Sequence, residues 1–240
     1  MEELSNRINY SQEEKQCEQY YSSTVSRQTD GRYVVRLPRK HNFDELLGQS
    51  KTMALHRYEL LERRLLKSPE LKEGYNEFMS EYISLSRTHA MYSKTNYLPH
   101  HPVTKKESTT IKLRVMFDAS AKTSTGFSLN EALLVGPVIQ DDLLTIILRF
   151  RIHPVAVVGD IVKMYRQILF HHEDTTLQRI VWGFKPTDPV ECYELQTVTY
   201  GLSPSSFLAT RTLEQLAVDE GQSHPIGALL CESPTIWTTS

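Results

Sequence analysis

The run VAVVGDIVKMYRQI, residues 155–168, leads apolar and small residues into a lone carboxylate, Asp160, followed by Lys163, Tyr165, Arg166 and Gln167. A β-branched run of this kind predicts a buried strand, so Asp160 stands where backbone order meets an accessible surface. One carboxylate there either caps something or binds something. With an aromatic ring five residues on and a polar pair behind it, the turn has the types needed to hold a divalent ion and press a ring on a nucleotide sugar. Asp141-Asp142 is a different case. It opens the amphipathic stretch QDDLLTIILRF, striped by Leu143, Ile146, Ile147 and Phe150, where two acids complement the positive end of a helix dipole.

The surrounding elements follow from periodicity. TKKESTTIKLRVMFD predicts a hairpin with a polar tip at residues 107–110, and its second strand alternates Lys112, Arg114, Met116 and Asp118 against Leu113, Val115 and Phe117. Lys112, Arg114 and Asp118 therefore share one face. ASAKTSTGFSLNEALLVGP reads as a Ser/Thr/Gly-rich connection with a short helical piece. IVWGF and CYELQTV form a hairpin across KPTDPVE, and TYGLSPSSFLATRTLEQLA is a glycine turn running into a helix.

Upstream, Ser11 and Glu14 make a capping-box pattern for an exposed helix over about residues 12–22. RYVVRLP is a strand ended by Pro38. Around it stand Arg27, Arg32, Arg36, Arg39 and Lys40, either a solvated face or a phosphate-tracking surface. Two helices follow, one carrying Leu55, Tyr58, Leu61 and Leu65. The other starts at Ser68-Pro69 and stripes Leu71, Tyr75, Phe78, Met79 and Tyr82 along a core face. Periodicity then lapses, which places a soft boundary near residue 90, and His100-His101-Pro102 reads as a loop without a ligand set.

Composition bounds the function classes. With 40% hydrophobic and 23% charged residues the chain reads as globular, neither fibrous nor disordered. No apolar run reaches the roughly 18 residues needed to span a bilayer, and MEELSNRINYSQEEK lacks the pattern of a secretory leader. Cys17, Cys192 and Cys231 have no metal spacing and are odd in number, which fits a reducing, intracellular compartment. A net charge of -2 neither announces nor excludes a nucleic-acid partner, since grooves depend on local clusters.

AVVGDIVKMYRQI resembles motif A of reverse transcriptases, in which an Asp is followed five residues later by Tyr or Phe. LPHHPVTKKESTTIKLRVMFDASAKTSTGFSLNEALLVGP, QDDLLTIILRFR and TYGLSPSSFLA resemble the polymerase region of BEL/Pao-class long-terminal-repeat retrotransposons, and the likeness covers most of residues 11–230. It implies an α+β chain: a mostly helical lead-in with one short strand at 1–90, then the fingers and an incomplete palm of a right-hand polymerase at 91–230. The implied reaction is RNA-directed DNA synthesis with two Mg²⁺ ions. Asp160 and the Ile161 carbonyl would be metal ligands, and Tyr165 would be the ring that excludes a sugar 2′-hydroxyl. Nucleotide-binding positions fall on Lys105 or Lys106, Arg114, Asp118, Tyr165, Tyr200 and Gly201, with Gly201 and Ser203-Pro204 forming the motif B turn. The implied partners are an RNA or DNA template-primer and deoxynucleoside triphosphates, with no membrane. The location would be cytoplasmic, in a virus-like particle, or nuclear.

The sequence departs from that pattern in one place. Motif C, with its two adjacent aspartates, belongs some twenty residues after LAVDEG, where the chain reads LLCESPTIWTTS. Pro234-Thr235-Ile236-Trp237-Thr238-Thr239 is encoded CCN ACN ATH TGG ACN ACN. Read two bases later this gives NAC NAT HTG GAC NAC, which becomes Tyr-Tyr-Met-Asp-Asp when the free bases are T, T, A and G. The expectation is a frameshifted tail over 231–240, which the genomic DNA past the Glu232 codon decides. The resulting chain is an inactive relic, or a non-catalytic nucleic-acid-binding module.

Overall fold

The computed structural model describes residues 10–83, 94–104, 113–151 and 161–232. The chain is an α+β protein with helices packed on small sheets. Its first half runs α1 (Gln12–Thr24), β1 (Ser26–Arg27), β2 (Tyr33–Val35), α2 (Phe43–Leu46), α3 (Lys51–Leu65), α4 (Pro69–Ile83), β3 (His100–Thr104) and β4 (Leu113–Phe117). It continues through α5 (Leu129–Ala132), α6 (Leu143–Phe150), β5 (Leu169–Phe170), α7 (His172–Thr175), β6 (Arg179–Trp182), β7 (Glu191–Glu194), α8 (Ser205–Glu220) and α9 (Pro225–Glu232). No helix among the described residues is long and apolar enough to cross a membrane.

β2 is the middle of a three-stranded sheet, antiparallel to β1 and parallel to β5, with Val34 opposite Leu169 and Val35 opposite Phe170. β3 and β4 pair antiparallel, with Val103 opposite Arg114 and His101 opposite Met116; the first strand falls earlier than expected, on His100–Thr104, and the expected tip at 107–110 lies outside the described residues. β6 and β7 form a hairpin, with Ile180 opposite Tyr193.

α1 is capped as its sequence predicts: Glu14 N donates to Ser11 Oγ at 3.2 Å and Ser11 N donates to a Glu14 oxygen at 2.7 Å. It is not an exposed helix. Cys17 and Tyr21, one turn apart, are buried, and the Tyr21 hydroxyl lies 3.1 Å from Thr212 Oγ1 on α8. A stripe of two residues is too thin for periodicity to reveal, yet it suffices to dock a short helix. α6 errs the other way: Ile146 is buried, but Leu143 and Ile147 are exposed.

The four arginines of the basic flank around β2 are engaged by acids and carbonyls of the chain itself, Arg27 while still exposed. Arg27 pairs with Glu220 at 2.6 Å, and Arg32 donates to the carbonyls of Arg166 and Gln167. Arg36 reaches Glu173 at 2.6 Å and Asp174 at 3.2 Å, while Arg39 closes on the same Asp174. Asp174 is fully buried and also accepts from Leu37 N at 3.1 Å.

His100 stands in β3 rather than in a loop. The Pro102 that suggests a loop is tolerated because this two-stranded sheet leaves β3 an edge strand. Buried His100 lies with Nε2 3.1 Å from the Val181 carbonyl and Nδ1 2.6 Å from the Tyr75 hydroxyl. A carbonyl only accepts, so Nε2 carries the proton and Nδ1 accepts from the tyrosine. Tyr75 stacks on Trp182 at 5.0 Å, Tyr58 meets the same indole edge-on at 5.8 Å, and Tyr82 lies 5.5 Å from Phe117. Helices before residue 90 and strands after it thus share one core; residue 90 itself lies outside the described residues.

Burial holds the His100 imidazole down to about 4, against an ordinary 6.5. Between those values the unfolded chain binds the extra proton, so the stabilisation is complete above pH 6.5 and is lost as pH falls towards 4. The loss across that window is about 3 kcal/mol. Urea unfolding should therefore show a lower midpoint at pH 4.5 than at pH 7. The drop should be smaller in His100→Gln, and an equal drop in both would show that another group is responsible.

Candidate functional site

Tyr165 lies in a 3₁₀ turn, Met164–Gln167, entered through Lys163 at φ 52°, a left-handed conformation that costs a non-glycine residue roughly 1–2 kcal/mol. Neighbours on two sides hold that turn. From α4, Glu81 pairs with Lys163 and lies 2.9 Å from Arg166, whose guanidinium sits 3.9 Å over the Tyr82 ring and 5.1 Å over Phe78. From the opposite side, Arg32 donates to the Arg166 carbonyl at 2.7 Å. Strain at Lys163 persists because the surroundings over-determine the turn.

The second wall is the stretch before α8. Gly201 has φ +100°, and a Cβ there would stand 1.9 Å from the Phe117 carbonyl oxygen, so the turn lies directly against the end of β4. Asn130 fastens the contact. Its Nδ2 donates to the Gly201 carbonyl and to Ser120 Oγ, both at 2.9 Å, and its Oδ1 accepts from Ser203 N at 2.8 Å. Thr199 Oγ1 donates to the buried Gln178 at 2.6 Å, and Ser205 Oγ closes on the Thr199 carbonyl at 2.6 Å. The Ser203 hydroxyl oxygen is buried with no hydrogen-bond partner among the described residues.

These two walls bring Tyr165 and Tyr200 together, ring centroids 4.6 Å apart and planes tilted by 44°. The Tyr165 hydroxyl is 3.2 Å from Ser206 Oγ in the first turn of α8. Asp118, the residue after the Gly201 contact, accepts from Ser120 N at 3.2 Å and pairs with Arg57 at 3.3 Å. Arg114 is four residues back on the same face of β4, roughly 13 Å along the strand. It is exposed and makes no ion pair among the described residues. Two hydroxyl-bearing rings beside a backbone turn can stack on a planar or sugar surface and offer it hydrogen bonds.

Not every expected residue falls here. Asp160, Lys105 and Lys106 lie outside the described residues. Ile161 is described: it packs against the core, and its carbonyl accepts from Met164 N at 3.3 Å. Asp142 acts as a helix cap, with Thr145 N donating at 2.9 Å and Thr145 Oγ1 at 2.8 Å; the backbone bond holds its carboxyl below the ordinary range. Asn130, Arg57 and Ser206 escape a motif reading. The accessible signal was Ser128-x-x-Glu131, a capping box that fixes α5 around Asn130.

Among the described residues Asp118 pairs with Arg57 and caps its own turn, and Asp142 caps its helix. No protein-family model matches the chain, and no curated protein matches it.

Proposed function

We propose that the chain derives from the reverse transcriptase of a BEL/Pao-class long-terminal-repeat retrotransposon, and that in this form it binds nucleic acid without polymerising it. The supporting observation is the meeting of Tyr165 with Tyr200. The segment resembling motif A and the segment resembling motif B are 35 residues apart in sequence, yet their aromatic rings are 4.6 Å apart. In the family these positions hold the sugar and base of an incoming nucleotide. The family reaction needs carboxylates for two Mg²⁺ ions, and removing electrostatic stabilisation at a phosphoryl centre costs many powers of ten in rate. Stacking and phosphate contacts survive that loss because they need no metal.

Primer extension on a poly-A template with Mg²⁺ should yield no product, while a template-primer duplex should bind with an affinity that falls as salt rises. Tyr165→Ala should weaken that binding about 5- to 100-fold, the range of one stacked base. Extension abolished by Asp160→Asn would overturn the non-catalytic part. Absence of binding, or binding indifferent to Tyr165→Ala, would overturn the assignment of the Tyr165–Tyr200 pair.

A further inference from the structure

Beyond β5, and sharing no residue with the Tyr165–Tyr200 pair, His171, His172 and Glu173 each offer one ligand atom within 4.8 Å of the others. The two imidazoles are 4.2 Å apart between centroids, and His171 Nδ1 lies 3.8 Å from a Glu173 oxygen. A tetrahedral ion with bonds of about 2.0–2.2 Å spaces its ligand atoms roughly 3.3–3.5 Å apart, so side-chain rotations of about an ångström close the set.

The backbone under these residues is fixed. His171 N donates to the Val35 carbonyl at 2.9 Å, continuing the parallel pairing of β5 with β2. The Glu173 carboxylate is held as well, by Arg36 at 2.6 Å, and Arg36 is anchored in turn on buried Asp174 at 3.2 Å. Outer hydrogen bonds of this kind orient carboxylate ligands. The two arginines here, Arg36 and Arg39, are matched by Asp174 and Glu173, so a cation meets no net positive charge. His172 and Glu173 are exposed, which leaves an entry path.

We propose that His171, His172 and Glu173 form a three-ligand surface site for a borderline divalent transition ion of the Zn²⁺ class. Two imidazoles and one carboxylate suit such ions, whereas Mg²⁺ demands an octahedral oxygen set. Three protein ligands leave the fourth position to water.

The test is calorimetric titration of the full chain with Zn²⁺, beside the His171→Asn/His172→Asn double variant and Glu173→Gln, with circular dichroism as the check on folding. One ion should bind per chain, at least about tenfold more weakly in the double variant and more weakly in Glu173→Gln, with Mg²⁺ neither binding there nor competing. Unchanged binding in the double variant would assign the ion to another group, such as the thiol of Cys192, and overturn the proposal. So would no binding below about 0.1 mM. If the double variant does not fold, Co²⁺ added to the unaltered chain decides by paramagnetic broadening: selective loss of the His171 and His172 resonances sustains the site, and broadening elsewhere refutes it. Either result leaves the nucleic-acid reading untouched, because that reading stands on Tyr165.

Discussion

Gly201→Ala is expected to destabilise the chain by about 3 kcal/mol or more in urea unfolding. Two effects add. At φ +100° an L side chain is strained by roughly 1–2 kcal/mol wherever it occurs. Here the new methyl would also stand 1.9 Å from the Phe117 carbonyl oxygen, a backbone atom that a rotamer change cannot move. Relief requires parting the turn from β4, and that breaks the Asn130 bonds to Gly201 and Ser203. Gly126→Ala separates the two effects, since Gly126 has φ +83° but nothing within 4 Å of the added carbon. It should lose only the conformational part. Equal losses in the two variants would mean that the contact between the Gly201 turn and β4 is not what holds the turn in place. The same shift would carry Tyr200 off Tyr165, so template-primer binding should fall along with stability.

Asp174→Ala should cost about 3–5 kcal/mol, the range for removing one partner of a buried ion pair. The carboxylate has no exposure and answers Arg36, Arg39 and Leu37 N together. Without it the two arginines, themselves a quarter to a third exposed, keep their charge but lose their shared buried partner. Leu37 N is left without its acceptor inside the core. Asp174→Asn should be milder, because an amide oxygen still accepts from Leu37 N although the charge is gone. Thermal unfolding at low and high salt is the measurement. The loss should change little with salt, since a buried cluster is poorly screened. A loss under about 1 kcal/mol, or one erased by salt, would reduce this cluster to an ordinary surface pair.

Much of the fold could be read from local pattern. The alternation of β4, the β6–β7 hairpin, the α3 and α4 stripes, the capping box of α1 and the run into α8 each depend on residues close in sequence, where period and turn chemistry decide. The misreadings have a common physical source. α1 buries its face against α8, nearly two hundred residues away, and the β2 arginines find acids at 173, 174 and 220; no local window contains both partners. His100 looked like part of a loop because its hydrogen-bond partners, Tyr75 and Val181, come from elsewhere. At the site, Tyr165 and Gly201 were identifiable by type and spacing. Asn130 was not, because its work is done through backbone groups of a turn seventy residues on.

The stack of Tyr75 on Trp182 has a consequence for how such a sequence could be inherited. A gene cut near codon 90 would leave each product with half of one aromatic cluster, and the ring faces that Tyr75 and Trp182 cover for each other would meet water. A joint in the sequence pattern is therefore not a seam in the packing.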